Sequence, residues 1–343
     1  MGTSKRGKAS LLFEDPPLIL SAASVVGKKE GEGPLGKYFD RIEMDSMLGK
    51  RTWEEAESEL QTRTARLAIE KSGLDKEEIR YYFGGDLLAQ LIATSFGSMD
   101  LEFPMFGLYG ACSTMGEGLQ LGSMTVAGDF ADRVLVTASS HFASAEKQFR
   151  FPLEYGNQRP LSATWTVTGC GAVVLGKKGK GGGGSPLARV AGITTGKIVD
   201  MDFKDSMNMG AAMAPAACDV IYHHLLDFER KPEDYDKIIT GDLGKVGKEI
   251  LIKLLREKGI DIAEVHTDCG IEIFDCEEQG TQSGGSGCGC SAVTLSAHFL
   301  KQVEKGALKR ILFVPTGALL STVSFNEGQS VPGIAHAIVI EHA

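Results

Sequence analysis

The run Phe106-Gly-Leu-Tyr-Gly-Ala-Cys112-Ser-Thr-Met-Gly-Glu-Gly sets a thiol where a strand gives way to a helix. At a helix start the free backbone N–H groups and the dipole favour the thiolate, so this spacing predicts a lowered pKa at Cys112. Gly110, Gly116 and Gly118 let backbone pass close on both sides. The same geometry would form a pocket for an anion or a developing oxyanion. The alternative is a buried structural cysteine, since free cysteine is among the most buried residue types.

Other chemistry-bearing residues form no comparable pattern. His266, Cys269, Cys276, Cys288 and Cys290 match no pair of zinc knuckles. His223 and His224 are adjacent, so on a helix they face different ways and make poor joint ligands. Glu54, Glu55, Glu57 and Glu59 read as the wet face of a helix. No Gly-rich run matches a P-loop or a dinucleotide fingerprint, so no cofactor and no metal site is expected.

Composition narrows the class. The chain has 343 residues and a net charge of −9, which argues against a nucleic-acid binder. Its 43% hydrophobic and 24% charged content suits a packed domain rather than a disordered chain. No stretch approaches the roughly 18 apolar residues of a membrane span. Lys5, Arg6 and Lys8 precede Leu11-Leu12-Phe13, but Glu14, Asp15, Pro16 and Pro17 break that run, so no signal peptide is read there. Seven cysteines, an odd number with no export signal, read as reduced thiols in a cytosolic setting. The outlier is glycine: 43 residues, about one in eight against a usual share of about 7%.

The elements that position Cys112 alternate strand and helix. The first half is read as a strand from Leu18 to Ala22 and a helix from Thr52 to Ser72, with Thr52 and Glu55 as a capping box and Gly73 as the stop. Then follow a strand at Tyr81–Phe83, a helix from Ser113 to Ala127 ended by Gly128, and strands at Arg133–Ala138 and Val173–Leu175. The second half is read as strands at Val190–Thr194, Lys237–Thr240, Ile262–His266, Arg310–Val314 and Ala337–Ile340. Helices are read at Ala211–Phe228, Val246–Lys258 and Ser291–Lys305. Near-continuous apolar strands predict parallel sheets covered by helices.

The low-complexity run 177–186 marks a seam, dividing the chain into halves 1–180 and 181–343. Gly-Ala-Cys112-Ser, a helix and Arg133-Val-Leu-Val are mirrored by Gly-Cys290-Ser, a helix and Arg310-Ile-Leu-Phe. The copies lie 178 residues apart, which supports a duplicated α/β fold.

This arrangement, with Cys-Ser opening the first half's central helix, resembles the thiolase superfamily, including the β-ketoacyl synthases. The resemblance implies duplicated mixed α/β halves in a layered αβαβα order, with an acyl-accepting Cys at position 112. It also implies partner residues from the second half. Lys237-Ile-Ile-Thr-Gly241-Asp-Leu-Gly244 is similar to the synthase segment that carries a catalytic His, and Gly241 stands in its place. Gly285-Ser286-Gly-Cys-Gly-Cys-Ser291 is similar to the segment carrying Asn or His, and Ser286 stands there. No Cys occurs at Pro315-Thr316-Gly317, where thiolases have their second one. A Cys without an oriented base and proton donor is a poor condensing catalyst, so the expectation is a pocket that binds, with no catalytic residues. The rival is a Cys112-dependent acyltransferase.

Longer runs are similar to the stage V sporulation protein AD family. They include Gly107-Leu-Tyr-Gly-Ala-Cys-Ser-Thr-Met, Ser139-Ser-His-Phe-Ala-Ser-Ala-Glu-Lys-Gln-Phe-Arg150, Thr267-Asp-Cys-Gly-Ile-Glu-Ile-Phe-Asp275 and Pro315-Thr-Gly-Ala-Leu-Leu-Ser-Thr. That resemblance implies a protein that binds dipicolinic acid, alone or with calcium, for uptake into the developing spore. It implies membrane proteins of the same transport system as partners, a place on the cytoplasmic face of the inner spore membrane, and no transmembrane segment. Thiolase-like folds commonly pair through the first half, so a homodimer is within what the resemblance allows. A flat dianion needs fixed donors and positive potential. The expected ligand-binding set is therefore Cys112, Ser140, His141, Arg150, Gln158, Arg159, Gly241 and Ser286, placed at helix starts and at the carboxyl end of the 133–138 strand. His141 as a structural histidine, Lys147 as a solvated cation and Arg159 as a loop anchor remain the alternatives.

Overall fold

The computed structural model describes residues 3–150, 159–179 and 184–343. Ten strands form the continuous path of the main sheet: β1 (Leu18–Gly27), β2 (Tyr81–Gly85), β3 (Met105–Gly107), β4 (Arg133–Ser140), β5 (Gly169–Gly176), β6 (Ala188–Thr194), β7 (Lys237–Thr240), β8 (His266–Asp268), β9 (Arg310–Val314) and β10 (Ala337–Glu341). Their spatial order is β8-β7-β9-β10-β6-β1-β5-β4-β2-β3. Each half therefore repeats one order, 3-2-4-5-1 and then 8-7-9-10-6. The halves meet where Leu18 and Ile19 of β1 pair with Arg189 and Ala188 of β6.

The sheet is mixed, which corrects the expectation of parallel sheets. The pairs β2·β4, β2·β3, β7·β9 and β7·β8 are parallel. The pairs β4·β5, β1·β5, β9·β10, β6·β10 and β1·β6 are antiparallel. Strands covered on both faces carry continuous apolar runs whichever way they point, so the run alone does not report direction. A second correction concerns 262–266. Ile262 is buried under a turn, and the strand begins at His266.

Six helices matter for the site: α1 (Trp53–Ser72), α2 (Thr114–Ala127), α3 (Phe142–Phe149), α4 (Met209–Asp227), α5 (Gly244–Glu257) and α6 (Cys288–Thr294). Thr52 caps α1 by accepting from Glu55 N, and Gly73 closes it in the left-handed region at φ 66°. The Glu55 carboxylate accepts from Arg51 N rather than from Thr52, so only half of the expected capping box forms. The helix read from Ser291 begins earlier, at Cys288. A π-turn interrupts it at Leu295–Phe299 before it resumes as Leu300–Glu304.

The layers run α1, then β1–β5, then α2 and α6, then β6–β10, then α4 and α5. Helix α1 covers β1, β4 and β5, while α2 and α6 lie on their other face. Helix α2 also touches β10, and α4 covers β6 and β10 from outside. The middle layer packs closely because it is glycine-rich. A Cβ on Gly118 of α2 would stand 2.6 Å from Val136 Cγ1. One on Gly171 of β5 would stand 2.4 Å from the Ala292 carbonyl carbon of α6. Part of the glycine excess thus brings the starts of α2 and α6 together at the middle of the molecule.

Candidate functional site

Cys112 sits in the turn before α2, not in its first helical residue. Ala111 beside it has φ 48°, a left-handed backbone that few non-glycine residues adopt. The turn is clasped by its own donors, Ser113 N and Ser113 Oγ to Gly110 O and Thr114 Oγ1 to Ala111 O. Gly317 lies across it, with Gly110 O only 2.3 Å from where a Cβ would be.

Cys112 opens onto a cavity lined by Leu87 and Tyr109, by Phe149 at the end of α3 and Arg150 just after it, and by Thr166, Ser286 and Gly287. Met209, Ala318 and Leu320 close the rest. Its room for water centres is about 30 Å³, enough for one or two water molecules. No histidine or asparagine lines it among the described residues.

The thiol is not activated. Burial pushes the Cys112 pKa well above its ordinary value, and the neighbouring Asp242 and Cys288 push it further in the same direction. The expectation of a lowered pKa is therefore corrected. A local helix dipole contributes less than removing a charge from water and placing a carboxylate beside it.

Asp242, in the loop from β7 to α5, was not singled out from the sequence. Its Oδ1 accepts from Thr316 Oγ1 at 2.7 Å, and its Oδ2 accepts from Gly287 N at 3.2 Å. Cys112 stands close enough to this carboxylate for each to shift the other's titration. Burial raises the Asp242 pKa to about 7, with the nearby Asp268 acting in the same sense. The available signal was a charged residue ending a buried strand, next to the Gly241 that drew attention instead. Cys288 was missed as well: its thiol donates to Ala111 O at 2.9 Å, so it braces the Cys112 turn from α6.

The expected ligand set divides. Cys112, Arg150 and Ser286 share the cavity wall. Arg150 pairs with Glu146, and its buried Nε has no hydrogen-bond partner among the described residues. Gly241 lies behind the wall. A Cβ there would meet Thr316 N at 2.9 Å and Pro315 Cα at 3.0 Å, so this backbone leaves no room for a histidine.

Ser140, His141 and Arg159 are spent elsewhere. Ser140 donates to Val167 O at 2.6 Å and accepts from Gly289 N at 3.0 Å, tying β4 to the start of α6. His141 caps α3, with Nδ1 accepting from Ala143 N at 3.1 Å and Nε2 2.8 Å from Ser46 O. Arg159 bonds Glu146 Oε1 at 2.9 Å and Thr164 O at 3.0 Å, and its guanidinium stacks 4.7 Å from the Trp165 ring. Lys147 pairs with Glu54 at the surface. Gln158 lies outside the described residues, as do residues 180–183 of the glycine-rich run.

All seven cysteines are free thiols. Among the described residues, no group of three His, Cys, Asp or Glu side chains is placed to hold a metal ion, and no helix is long and apolar enough to cross a membrane.

The mirrored halves around a Cys at the start of the first central helix define a thiolase-like fold, and solved structures agree. The chain is similar to the acetyl-CoA acetyltransferase of Syntrophomonas wolfei (TM-score 0.64, 13% identity, 96% of this chain and 100% of that one). It is similar to OleA of Xanthomonas campestris (TM-score 0.62, 15% identity, 96% and 98%). It is also similar to 3-oxoacyl-(acyl-carrier-protein) synthase III of Aquifex aeolicus VF5 (TM-score 0.56, 15% identity, 95% and 99%). At such identities the likeness shows the fold alone. The family is closer: the model of stage V sporulation protein AD (SpoVAD) matches residues 7–341. The stage V sporulation protein AD of Bacillus subtilis (strain 168) is 41% identical over 337 residues, 98% of each chain. The chain belongs to the stage V sporulation protein AD family.

Proposed function

We propose that the chain is a ligand-binding, non-catalytic member of this family. It holds dipicolinic acid, alone or as its calcium chelate, in the Cys112 cavity during uptake into the developing spore. The observation that carries this reading is the pairing of a part-buried, cavity-lining cation, Arg150, with a Cys112 kept as a neutral thiol. The cation supplies attraction for a carboxylate, the Phe149 and Leu320 faces suit a ring, and Thr166 and Ser286 add hydroxyl donors. A thiol held neutral is a weak nucleophile. The cavity is narrower than a dicarboxylate ring, so binding requires its lining side chains to part.

Membrane proteins of the same transport system would bring the chain to the cytoplasmic face of the inner spore membrane. A second copy would pair along the edge strand β3, where Phe106 is half exposed. Calorimetry with dipicolinate, with and without Ca²⁺, tests the reading. Saturable binding is expected, and no heat at millimolar ligand would sink it.

One observation favours the rival acyltransferase: a carboxylate, Asp242, stands beside the Cys112 thiol. Incubation with acyl-CoA followed by mass spectrometry decides this. A Cys112 acyl adduct would revive the enzyme reading, and an unmodified thiol would retire it.

A further inference from the structure

The cavity wall is tied to a group that does not itself line the cavity. Asp242 stands one layer behind Cys112 and Gly287, only 1% exposed. One wall group that could donate to a bound anion, the Gly287 N–H, donates backwards to Asp242 at 3.2 Å, and Cys112 of the same wall stands beside that carboxylate. Its other oxygen takes the Thr316 hydroxyl.

We propose that Asp242 is a positioning residue that couples anion binding in this cavity to the uptake of one proton. Ionised, it holds the Gly287 N–H away from the cavity and sets a negative charge behind the wall. Protonated, it releases that N–H to a carboxylate of the ligand. The inference rests on the cavity being the site for an aromatic dicarboxylate, as proposed above.

The titratable groups facing Asp242 come from several elements. From the turn before α2 comes Cys112, and from α6 come Cys288 and Cys290; burial pushes all three thiols well up. From the end of β8 come Asp268 and Cys269, the latter also pushed well up by burial. Thr316, from the strand Thr316–Ala318, carries no charge. On the cavity side, Arg150 is paired with Glu146, and burial pushes the Tyr109 phenol up. The charge on Asp242 therefore changes at about pH 7, where an ordinary carboxylate ligand is already fully ionised. A bound anion opposes ionisation of Asp242, so it raises that pKa and draws in a proton. The sign follows: affinity is full below the titration of Asp242 and falls as pH rises through it, by up to about tenfold per pH unit.

The test is calorimetry of dipicolinate with the full chain between about pH 6 and pH 8.5, in pairs of buffers with different ionisation enthalpies. Close to one proton taken up per ligand is expected near pH 8, with affinity falling about tenfold per unit. Asp242→Asn should bind with a flat pH profile and no proton exchange. Thr316→Val removes a donor to the carboxylate and should move the fall to higher pH, which keeps the test open if the first variant does not fold. Binding by the wild type with no pH dependence and no proton exchange overturns the coupling while leaving the site standing. Proton uptake that persists in Asp242→Asn overturns the assignment to this residue. No binding at any pH is a different failure, that of the underlying ligand reading, and the inference falls with it.

Discussion

Asp242 and Asp268 are both buried carboxylates in the second half of the fold, and both have their pKa raised first by burial. They are held differently. Each oxygen of Asp268 takes two donors: Thr240 Oγ1 at 2.6 Å and Leu243 N at 2.9 Å on one, Gly244 N at 3.0 Å and Gly270 N at 3.1 Å on the other. Three of these are backbone groups at the ends of segments, so Asp268 clips β8, the start of α5 and the helix Cys269–Ile273 into one corner. Asp242 has one strong donor and one long one. A saturated carboxylate is architecture. An undersaturated one beside a cavity can change state without unravelling its surroundings.

The largest effect should come from the saturated partner. Asp268→Ala strands three buried N–H groups and should cost about 3–5 kcal/mol, read as a shifted urea midpoint. Asp242→Asn keeps the shape and one acceptor oxygen for Gly287 N, and the Thr316 hydroxyl can turn to accept from the new amide, so it should cost no more than about 1–2 kcal/mol. Equal losses would break the distinction, and a larger loss at Asp242 would reverse it.

The next effect is a slope. The folded pKa of Asp242, about 7, lies above its ordinary 3.8, so between those values the folded chain keeps a proton that the unfolded chain releases. Its contribution is complete below about pH 4 and is lost as pH rises towards 7, at up to about 1 kcal/mol per pH unit. Buried Glu30, raised to about 7, and Glu57, raised to about 8, act with the same sign. Buried His224 and His266, lowered to about 3, and His336, lowered to about 4, act with the opposite sign up to about pH 6.5, so the Asp242 contribution is read as a difference between wild type and variant. Thermal midpoints of Asp242→Asn should fall less, or rise more, than those of the wild type between about pH 4 and pH 7. An unchanged slope would mean that Asp242 is already ionised in the folded chain at low pH.

How much of this could be read from residues alone depends on what each feature rests on. Lys237–Thr240 and Arg310–Val314 are strands with the expected bounds, because short apolar runs between turn residues leave little choice. The 20-residue α1 carries its own cap and stop. Strand direction was not legible, because pairing is a tertiary fact. In the site, the unusual types and spacings around Cys112 and Ser286 pointed to the cavity, and so did the basic run holding Arg150. Asp242 was hidden because its importance is not local. Burial, a hydroxyl from beyond β9 and a donor from the start of α6 converge on it, and none is near it in the chain. The same convergence reversed the expected pKa of Cys112, where a local argument about the helix start met a carboxylate brought in from the other half.

The smallest effect separates two residues of one stretch. His141 and Arg150 flank α3 and were both expected at a ligand. His141 now faces Ser46 O and caps α3, whereas Arg150 lines the cavity with a buried donor that no described group occupies. His141→Ala removes one cap and one side-chain tie, so it should cost about 1 kcal/mol of stability and leave dipicolinate affinity unchanged. Arg150→Ala should weaken dipicolinate at least about tenfold, because a charge-assisted contact to a carboxylate is lost. Its stability should change less than that loss in binding suggests, since Glu146 keeps Arg159 as a partner. If the affinities move the other way round, the ligand sits at the carboxyl end of β4 rather than in the Cys112 cavity. The proton linkage through Asp242 would then have no wall through which to act.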